Sequence, residues 1–264
     1  MHDRISLGAL WEETAAFVRA EAQLLLPVAF TGFGLPPILM ELAMPDPAML
    51  GAQLVVGPWM WGFIPYALVN IVASVSVSAL ALRPGVSVRE AIGGGLRALP
   101  VGVLLVLLGL GALAGLTVVA SVAAGVEQSV GGRPGPVFVL ALLGCFVAVI
   151  ATAVRVLPLW AVLAQGSRRP LPTLARALAL TKRAYLLLLL LRVVAWLAQV
   201  LTMFVLLMPI AVVLSLIGWA TGARHVAEAL TLVSGGAVVA VVMMVWTVYV
   251  ARLTRRLESS ISGT

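Results

Sequence analysis

The chain has 264 residues, of which 62% are hydrophobic and 10% are charged, and its mean hydropathy is +1.14. Soluble domains contain about 45–50% apolar and about 25% charged residues, so the composition excludes a soluble protein and predicts an all-α, polytopic membrane protein. The net charge of +7 indicates cations that face anionic lipid headgroups, and we expect no binding to nucleic acid.

A polar segment comes first and leads into the first of six apolar runs. The stretch "SLGALWEETAAFV" starts at Ser6, which is a predicted N-cap, and it has the spacing of an amphipathic helix. Its acidic residues argue against a cleaved signal peptide. Because a transmembrane helix needs about 20 apolar residues, the runs predict six spans. They are expected at 24–43, 57–82, 99–124, 137–163, 186–216 and 230–253.

The first two spans contain residues that are unusual in a membrane helix. Pro27, Pro36 and Pro37 lie in the first span and are expected to kink it or to leave its outer half irregular. Asn70 lies in the second span and is followed by three serines. Small polar residues at such spacings either let helices pack closely or line a pathway, so Asn70 is a candidate intramembrane site residue.

A second polar segment, "LRPGVSVREAIGGGLRAL", separates the second and third spans. Ser87 is its predicted N-cap, and Arg83, Arg89 and Arg97 are candidate headgroup contacts. Its glycines lack the Gly-Lys-Ser/Thr ending of a phosphate loop, so they indicate a close contact between helices instead.

The fourth span contains Arg155, about 12 Å from its predicted cytoplasmic end at 1.5 Å per residue. One interpretation is a side chain that snorkels to the surface, and the other is an anion or headgroup contact inside the bundle. Because Pro158 has no N–H, we expect a free carbonyl at Val154 and an Arg155 guanidinium turned into the bundle. Cys145 is the one cysteine, so no internal disulfide is expected.

A third polar segment, "RRPLPTLARALALTKRAY", repeats the second at an offset of 86 residues without a gap, and Thr173 is its predicted N-cap. The pattern predicts three repeats, each a short amphipathic cytoplasmic helix followed by a two-span hairpin, at 1–82, 83–167 and 168–264. The alternative is that loops between spans drift independently toward basic, amphipathic sequence. Further candidate headgroup contacts are Arg168, Arg169, Arg176, Lys182 and Arg183.

The fifth span contains Arg192 and Gln199. Arg192 lies near the start of the span, where we expect it to snorkel and act as an anchor. Gln199 lies deeper and completes the candidate intramembrane site with Arg155 and Asn70.

The distribution of cations predicts the orientation. The connections at 44–56, 125–136 and 217–229 contain only Arg133 and Arg224, while the other Lys and Arg residues lie in the termini, the two remaining connections or nearby span ends. By the positive-inside rule, both termini are expected in the cytoplasm, in a bacterial inner membrane.

The chain resembles the membrane domain of glycerophosphodiester phosphodiesterase and the YciC-like bacterial inner-membrane proteins. The resemblance rests on "SLGALWEETAAFVRAEAQLLLP" and "VRVLPLWAVLAQGSRRPLPTLARALALTKRAY". Arg155, Pro158 and Gly166 match the family pattern, as do Leu180 and Thr181. Gln165 stands where an acidic residue is commoner, and Ala179 stands where Trp is frequent. The resemblance implies a polytopic membrane module.

No pattern of catalytic carboxylates, HExxH or nucleophile elbow occurs, so we predict neither an enzyme nor a cofactor. The sequence favours a scaffold or a lipid-associated envelope factor, with membrane lipids and either a membrane-protein partner or a second copy as partners. The alternative is a transporter or channel for a small solute or lipid, with its path near Arg155. A polar cavity in the membrane would favour transport, whereas a sealed apolar bundle would favour a scaffold.

Overall fold

The computed structural model describes residues 6–44, 57–131, 136–166, 169–182 and 184–262. All regular elements in these ranges are helical. They are α1 (Leu7–Ala20), α2 (Ala22–Ala29), a π-helix (Phe30–Gly34), α3 (Leu35–Ala43), a 3-10 helix (Pro58–Gly62), α4 (Phe63–Leu82), α5 (Val88–Gly131), α6 (Pro136–Arg155), α7 (Leu159–Ala164), α8 (Pro170–Lys182), α9 (Tyr185–Thr221) and α10 (Arg224–Ser262).

Six helical segments in the described residues are long and apolar enough to cross a membrane, which confirms the predicted all-α protein with six spans. They are Ala22–Ala43, Trp59–Leu82, Val88–Leu116, Val139–Ala164, Tyr185–Thr221 and Arg224–Ser260. Large apolar side chains such as Leu107, Val147 and Leu201 are exposed on their outer faces. A continuous apolar surface of this kind suits lipid tails and not water.

The first span is interrupted in its middle and not in its outer half. Its outer half is the regular helix α3, because Pro36 and Pro37 lie in the first turn, where a helix does not need their missing N–H groups. The irregular part is instead the π-helix Phe30–Gly34, one wide turn in the middle of the span that buries Phe33.

Two of the three predicted N-caps are present. The Ser6 hydroxyl accepts a hydrogen bond from the N–H of Ala9 at 3.3 Å. Ser87 and Glu90 cap each other, because the Ser87 hydroxyl accepts from the N–H of Glu90 and the Glu90 carboxylate accepts from the N–H of Ser87. The prediction for Thr173 was wrong: α8 begins at Pro170, and the Thr173 hydroxyl donates to the carbonyl of Arg169 at 2.6 Å.

The second polar segment does not form a separate short helix. It is the first part of α5, which runs without a break from Val88 to Gly131 and continues through Pro100. The first and third segments do form separate helices, because the chain leaves helical geometry at Glu21 and at Ala184. The three-repeat organisation therefore stays a prediction.

The three polar segments nevertheless share one pattern of burial. Each buries the residues four and eight positions after its predicted cap, which lie on one face of a helix. These residues are Leu10 and Thr14 after Ser6, Ala91 and Gly95 after Ser87, and Ala177 and Thr181 after Thr173. The shared face of each segment is thus turned toward the bundle.

The centre of the bundle is formed by α4 and α10, and glycines let the first span approach both. A Cβ atom added at Gly34 would lie 2.6 Å from the carbonyl oxygen of Gly236 on α10. A Cβ atom added at Gly32 would collide with Ala73 on α4. Since lipid tails are as apolar as the side chains, such close backbone contact is a main source of helix association in a membrane.

One end of the bundle, which we call the basic end, contains α1, the first turns of α5, α8 and the last turns of α10. There the Glu258 carboxylate on α10 accepts hydrogen bonds from Arg176 at 2.7 Å and from the side chain of Gln165 at 2.8 Å. Arg256 forms an ion pair with Glu13 on α1. The last turns of α10 thereby connect α1 to α8.

Candidate functional site

A cavity of about 330 Å³ lies between α4, α9, α10 and the connection from α6 to α7. We call it the central cavity. Helix α4 contributes Asn70, Ser74 and Ser78, whose spacing of four residues places all three on one face. The cavity volume is near the lower end of the range for small-molecule pockets, about 300–1,000 Å³.

Helix α9 contributes Arg192 and Gln199 to the lining. These residues are seven positions apart, which is two helical turns, so they also lie on one face. Helix α10 adds Trp246 and Thr247, and α7 adds Trp160. The Thr247 hydroxyl is used within its own helix, since it donates to the carbonyl of Met243 at 2.7 Å.

The cavity lies within the span region. Arg192 is seven residues from the start of α9, which corresponds to about 10 Å at 1.5 Å per residue. Gln199 lies two helical turns deeper. Asn70 is twelve residues from the end of α4, or about 18 Å. The polar lining therefore extends from the region near the basic end toward the middle of the bundle.

The central feature of the cavity is the charge of Arg192. The side chain is half-buried, and its guanidinium carbon lies 5.5 Å from the centre of the Trp246 ring. Among the described residues no carboxylate forms an ion pair with it. A cation–π contact offsets part of the cost of removing this charge from water, but a counter-ion would offset more of it.

The two amide side chains of the cavity are also available for hydrogen bonds to a ligand. Within the described ranges, neither the Asn70 nor the Gln199 side chain makes a hydrogen bond to protein atoms. Each amide carries two donor hydrogens and one acceptor oxygen. The cavity thus combines one cation with two free amides, a set that can hold an anionic oxygen group.

An apolar groove of about 430 Å³ lies beside the central cavity, between α9 and α10. Gln199 and Trp246 line both spaces, so the two meet at these side chains. The rest of the groove is lined mainly by aliphatic side chains of the two helices, together with Trp11 of α1 and Tyr249 of α10.

Arg155 does not belong to the central cavity, and the expectation that it turns into the bundle was wrong. Helix α6 ends at Arg155, and the side chain is exposed, with its guanidinium carbon 5.6 Å from the centre of the Tyr185 ring. The carbonyl of Val154 is not free, because it accepts from the N–H of Leu157 at 3.3 Å. The chain turns after Arg155 instead of continuing as a kinked helix.

Of the three candidate intramembrane residues, the structure thus brings Asn70 and Gln199 together and leaves Arg155 outside. Arg192 takes its place, although the sequence indicated only an anchor. The available signal was its spacing of seven residues from Gln199 on the same helix.

The candidate headgroup contacts lie at the basic end, apart from Arg168 and Arg183, which are outside the described residues. Arg83, Arg89, Arg97, Arg169 and Lys182 are exposed. Arg176 is also exposed, but it is engaged in the ion pair with Glu258. In the part of the chain that the structure describes, no group of His, Cys, Asp or Glu side chains has the arrangement of a metal site.

The chain matches no protein-family model, no curated protein and no solved structure. The resemblance to the membrane domain of glycerophosphodiester phosphodiesterase therefore stays a prediction.

Proposed function

We propose that this chain is a non-catalytic, lipid-associated protein of the bacterial inner membrane, which binds an anionic lipid in its central cavity. The observation that carries the proposal is Arg192, a half-buried cation inside a span for which the described residues supply no carboxylate. A lipid phosphate would supply the counter-charge and accept hydrogen bonds from the guanidinium.

The surroundings of Arg192 favour a lipid over a soluble anion. The amides of Asn70 and Gln199 are placed to contact the ester and phosphate oxygens of a headgroup. The apolar groove, which shares Gln199 and Trp246 with the central cavity, has the composition that an acyl chain requires. A phospholipid matches both parts of this site, whereas a small hydrophilic anion matches only the first.

The test is the amount of anionic phospholipid that the full-length protein retains on purification in mild detergent, measured by native mass spectrometry. We expect Arg192→Gln to reduce the occupancy of one bound anionic phospholipid at least about tenfold, because it removes charge-assisted hydrogen bonds worth about 1.5–3 kcal/mol each. The matched control is Arg155→Gln, which removes an arginine that also stacks on an aromatic ring but lies outside the cavity. Equal loss in both variants, or none in either, would contradict the proposal.

A second candidate function is the transport of a small anionic solute. The observation that favours it is the polar lining, which runs from near the basic end to the middle of α4 and α9. Flux of a radiolabelled anion into liposomes that contain the purified protein distinguishes the two functions. Flux that is abolished by Arg192→Gln would support transport, and binding without flux would support lipid association.

The proposal places both termini in the cytoplasm, and this orientation gives a separate prediction. Reporter fusions after residues 85, 170 and 260 should read as cytoplasmic, and fusions after 48, 130 and 223 should read as external. The physical reason is that the Lys and Arg residues concentrated at the basic end resist translocation. A single reversed hairpin would refute the arrangement.

A further inference from the structure

A second polar pocket, of about 370 Å³, opens at the basic end, where the end of α4 meets the first turns of α5 and the end of α7. We call it the basic-end pocket. Its inner wall consists of buried small or aliphatic side chains, among them Ala79, Ala91 and Ala98. Such a wall holds the backbones of α4, α5 and α7 close together and gives the pocket a rigid floor.

The charged groups of the pocket are Arg83, Arg97 and Glu90. Neither arginine forms an ion pair with any described residue. The Glu90 carboxylate is already committed, because it accepts from the N–H and the hydroxyl of Ser87 at 3.1 and 3.0 Å. Among the described residues, the pocket therefore has two cations without an ion-pair partner and one anion that is occupied as a helix cap.

Two glycines leave the pocket open. A Cβ atom added at Gly94 would meet nothing within 4 Å, so the space in front of it is free. Gly166 has a φ of +99°, which favours glycine, and a Cβ atom there would lie 3.7 Å from the Nη2 of Arg83. A side chain at either position would occupy space that the structure keeps empty beside the cations.

We propose that the basic-end pocket binds a phosphate group, with Arg83 and Arg97 as its donors. Guanidinium groups match the geometry of phosphate oxygens and bind them with paired hydrogen bonds. The same chemistry is offered by the headgroup of a lipid and by a soluble phosphate ester. This site is separate from the central cavity, since no residue lines both.

The adjacent glycines provide a steric test that leaves the charge unchanged. Gly93 and Gly94 both have free space around an added Cβ atom, but only Gly94 lines the pocket. Gly94→Leu should fill the pocket, whereas Gly93→Leu is the matched control. A second pair tests charge: Arg97→Gln removes a pocket cation, and Arg255→Gln removes an exposed cation of α10 at the same end of the bundle that does not line the pocket.

All variants are made in the full chain with Arg192→Gln, so that the central cavity does not contribute to binding. One arm titrates glycerol 3-phosphate into protein in phosphatidylcholine nanodiscs and measures heat. The other arm counts phosphatidic acid bound to the protein, by native mass spectrometry, after release from nanodiscs of equimolar phosphatidylcholine and phosphatidic acid. Binding in the first arm indicates a soluble ester, and binding in the second arm alone indicates a headgroup.

In whichever arm the parent binds, we expect Gly94→Leu and Arg97→Gln to weaken binding at least about tenfold, and Gly93→Leu and Arg255→Gln to change it less than about twofold. Absence of binding in both arms would overturn the proposal. Equal weakening by Arg97→Gln and Arg255→Gln would also overturn it, because it would mean general attraction to a basic surface. If Gly94→Leu does not fold, the arginine pair decides the question alone.

Discussion

Replacing Gly236 with valine is expected to separate the first span from α10 and to lower the stability of the whole bundle. A Cβ atom at this position would lie 2.8 Å from the carbonyl oxygen of Gly34 and would also collide with the side chain of Ile38. The obstacle is backbone, so it cannot be relieved by a change of rotamer. Overpacking of this kind costs about 1–3 kcal/mol or more, which should lower the midpoint of thermal unfolding in detergent by several degrees.

The neighbouring glycine provides the control for this substitution. A Cβ atom added at Gly235 would meet nothing within 4 Å, although it lies on the same helix and at the same depth. Gly235→Val should therefore unfold within about a degree or two of the parent, since valine and glycine differ little in helix propensity. If the two variants unfold at the same temperature, the contact between Gly34 and Gly236 does not hold the first span in place.

The number and approximate position of the spans could be predicted because long apolar runs in the sequence carry that information. A run of about 20 apolar residues without charges has few stable alternatives to a membrane helix, since its backbone polar groups must be satisfied internally. The limits of the spans were less predictable. The helix that contains the third span begins at Val88, well before residue 99, because the polar segment is helical as well and Pro100 is accommodated within the helix.

The composition of the central cavity could be predicted only in part. Asn70 and Gln199 stood out as amides in apolar runs, and both line the cavity. The seven-residue spacing places Arg192 on the same face as Gln199, but a helix that is apolar on all sides does not indicate which face it turns inward, so the arginine that joins the amides was not predicted. The rotation of α9 about its axis is set by its contact with α10, and that contact brings Arg192 against Trp246.

Arg155 was predicted to belong to the intramembrane site, but it lies outside the central cavity. Its depth in an apolar run and the proline three residues later indicated an inward site with a free carbonyl. The structure ends α6 at Arg155, and the turn that follows gives the carbonyl of Val154 a new donor in Leu157. A proline permits either a kinked helix or a helix end, and packing against neighbouring helices decides between them.

The last prediction concerns Gly95, where α5 closely approaches the backbone of α4. A Cβ atom there would lie 2.8 Å from both the carbonyl oxygen of Val72 and the hydroxyl oxygen of Ser76. That hydroxyl donates to the carbonyl of Val72 at 2.7 Å and lies 3.2 Å from the carbonyl oxygen of Ala91 on α5. Gly95→Val is therefore expected to push the two helices apart and to break the hydrogen bonding between them.

The expected cost for Gly95→Val is again about 1–3 kcal/mol or more, together with about 1 kcal/mol for the disturbed hydrogen bond of Ser76. Thermal unfolding in detergent measures the loss, and Gly93→Val, which meets nothing within 4 Å, is the matched control. Larger side chains at the three consecutive glycines should thus have different effects. A substitution at Gly93 should have no effect, one at Gly94 should weaken ligand binding, and one at Gly95 should lower the stability of the protein. A Gly95→Val protein as stable as Gly93→Val would show that the packing of α4 against α5 does not depend on this crossing. The crossing would then not be what makes the floor of the basic-end pocket rigid.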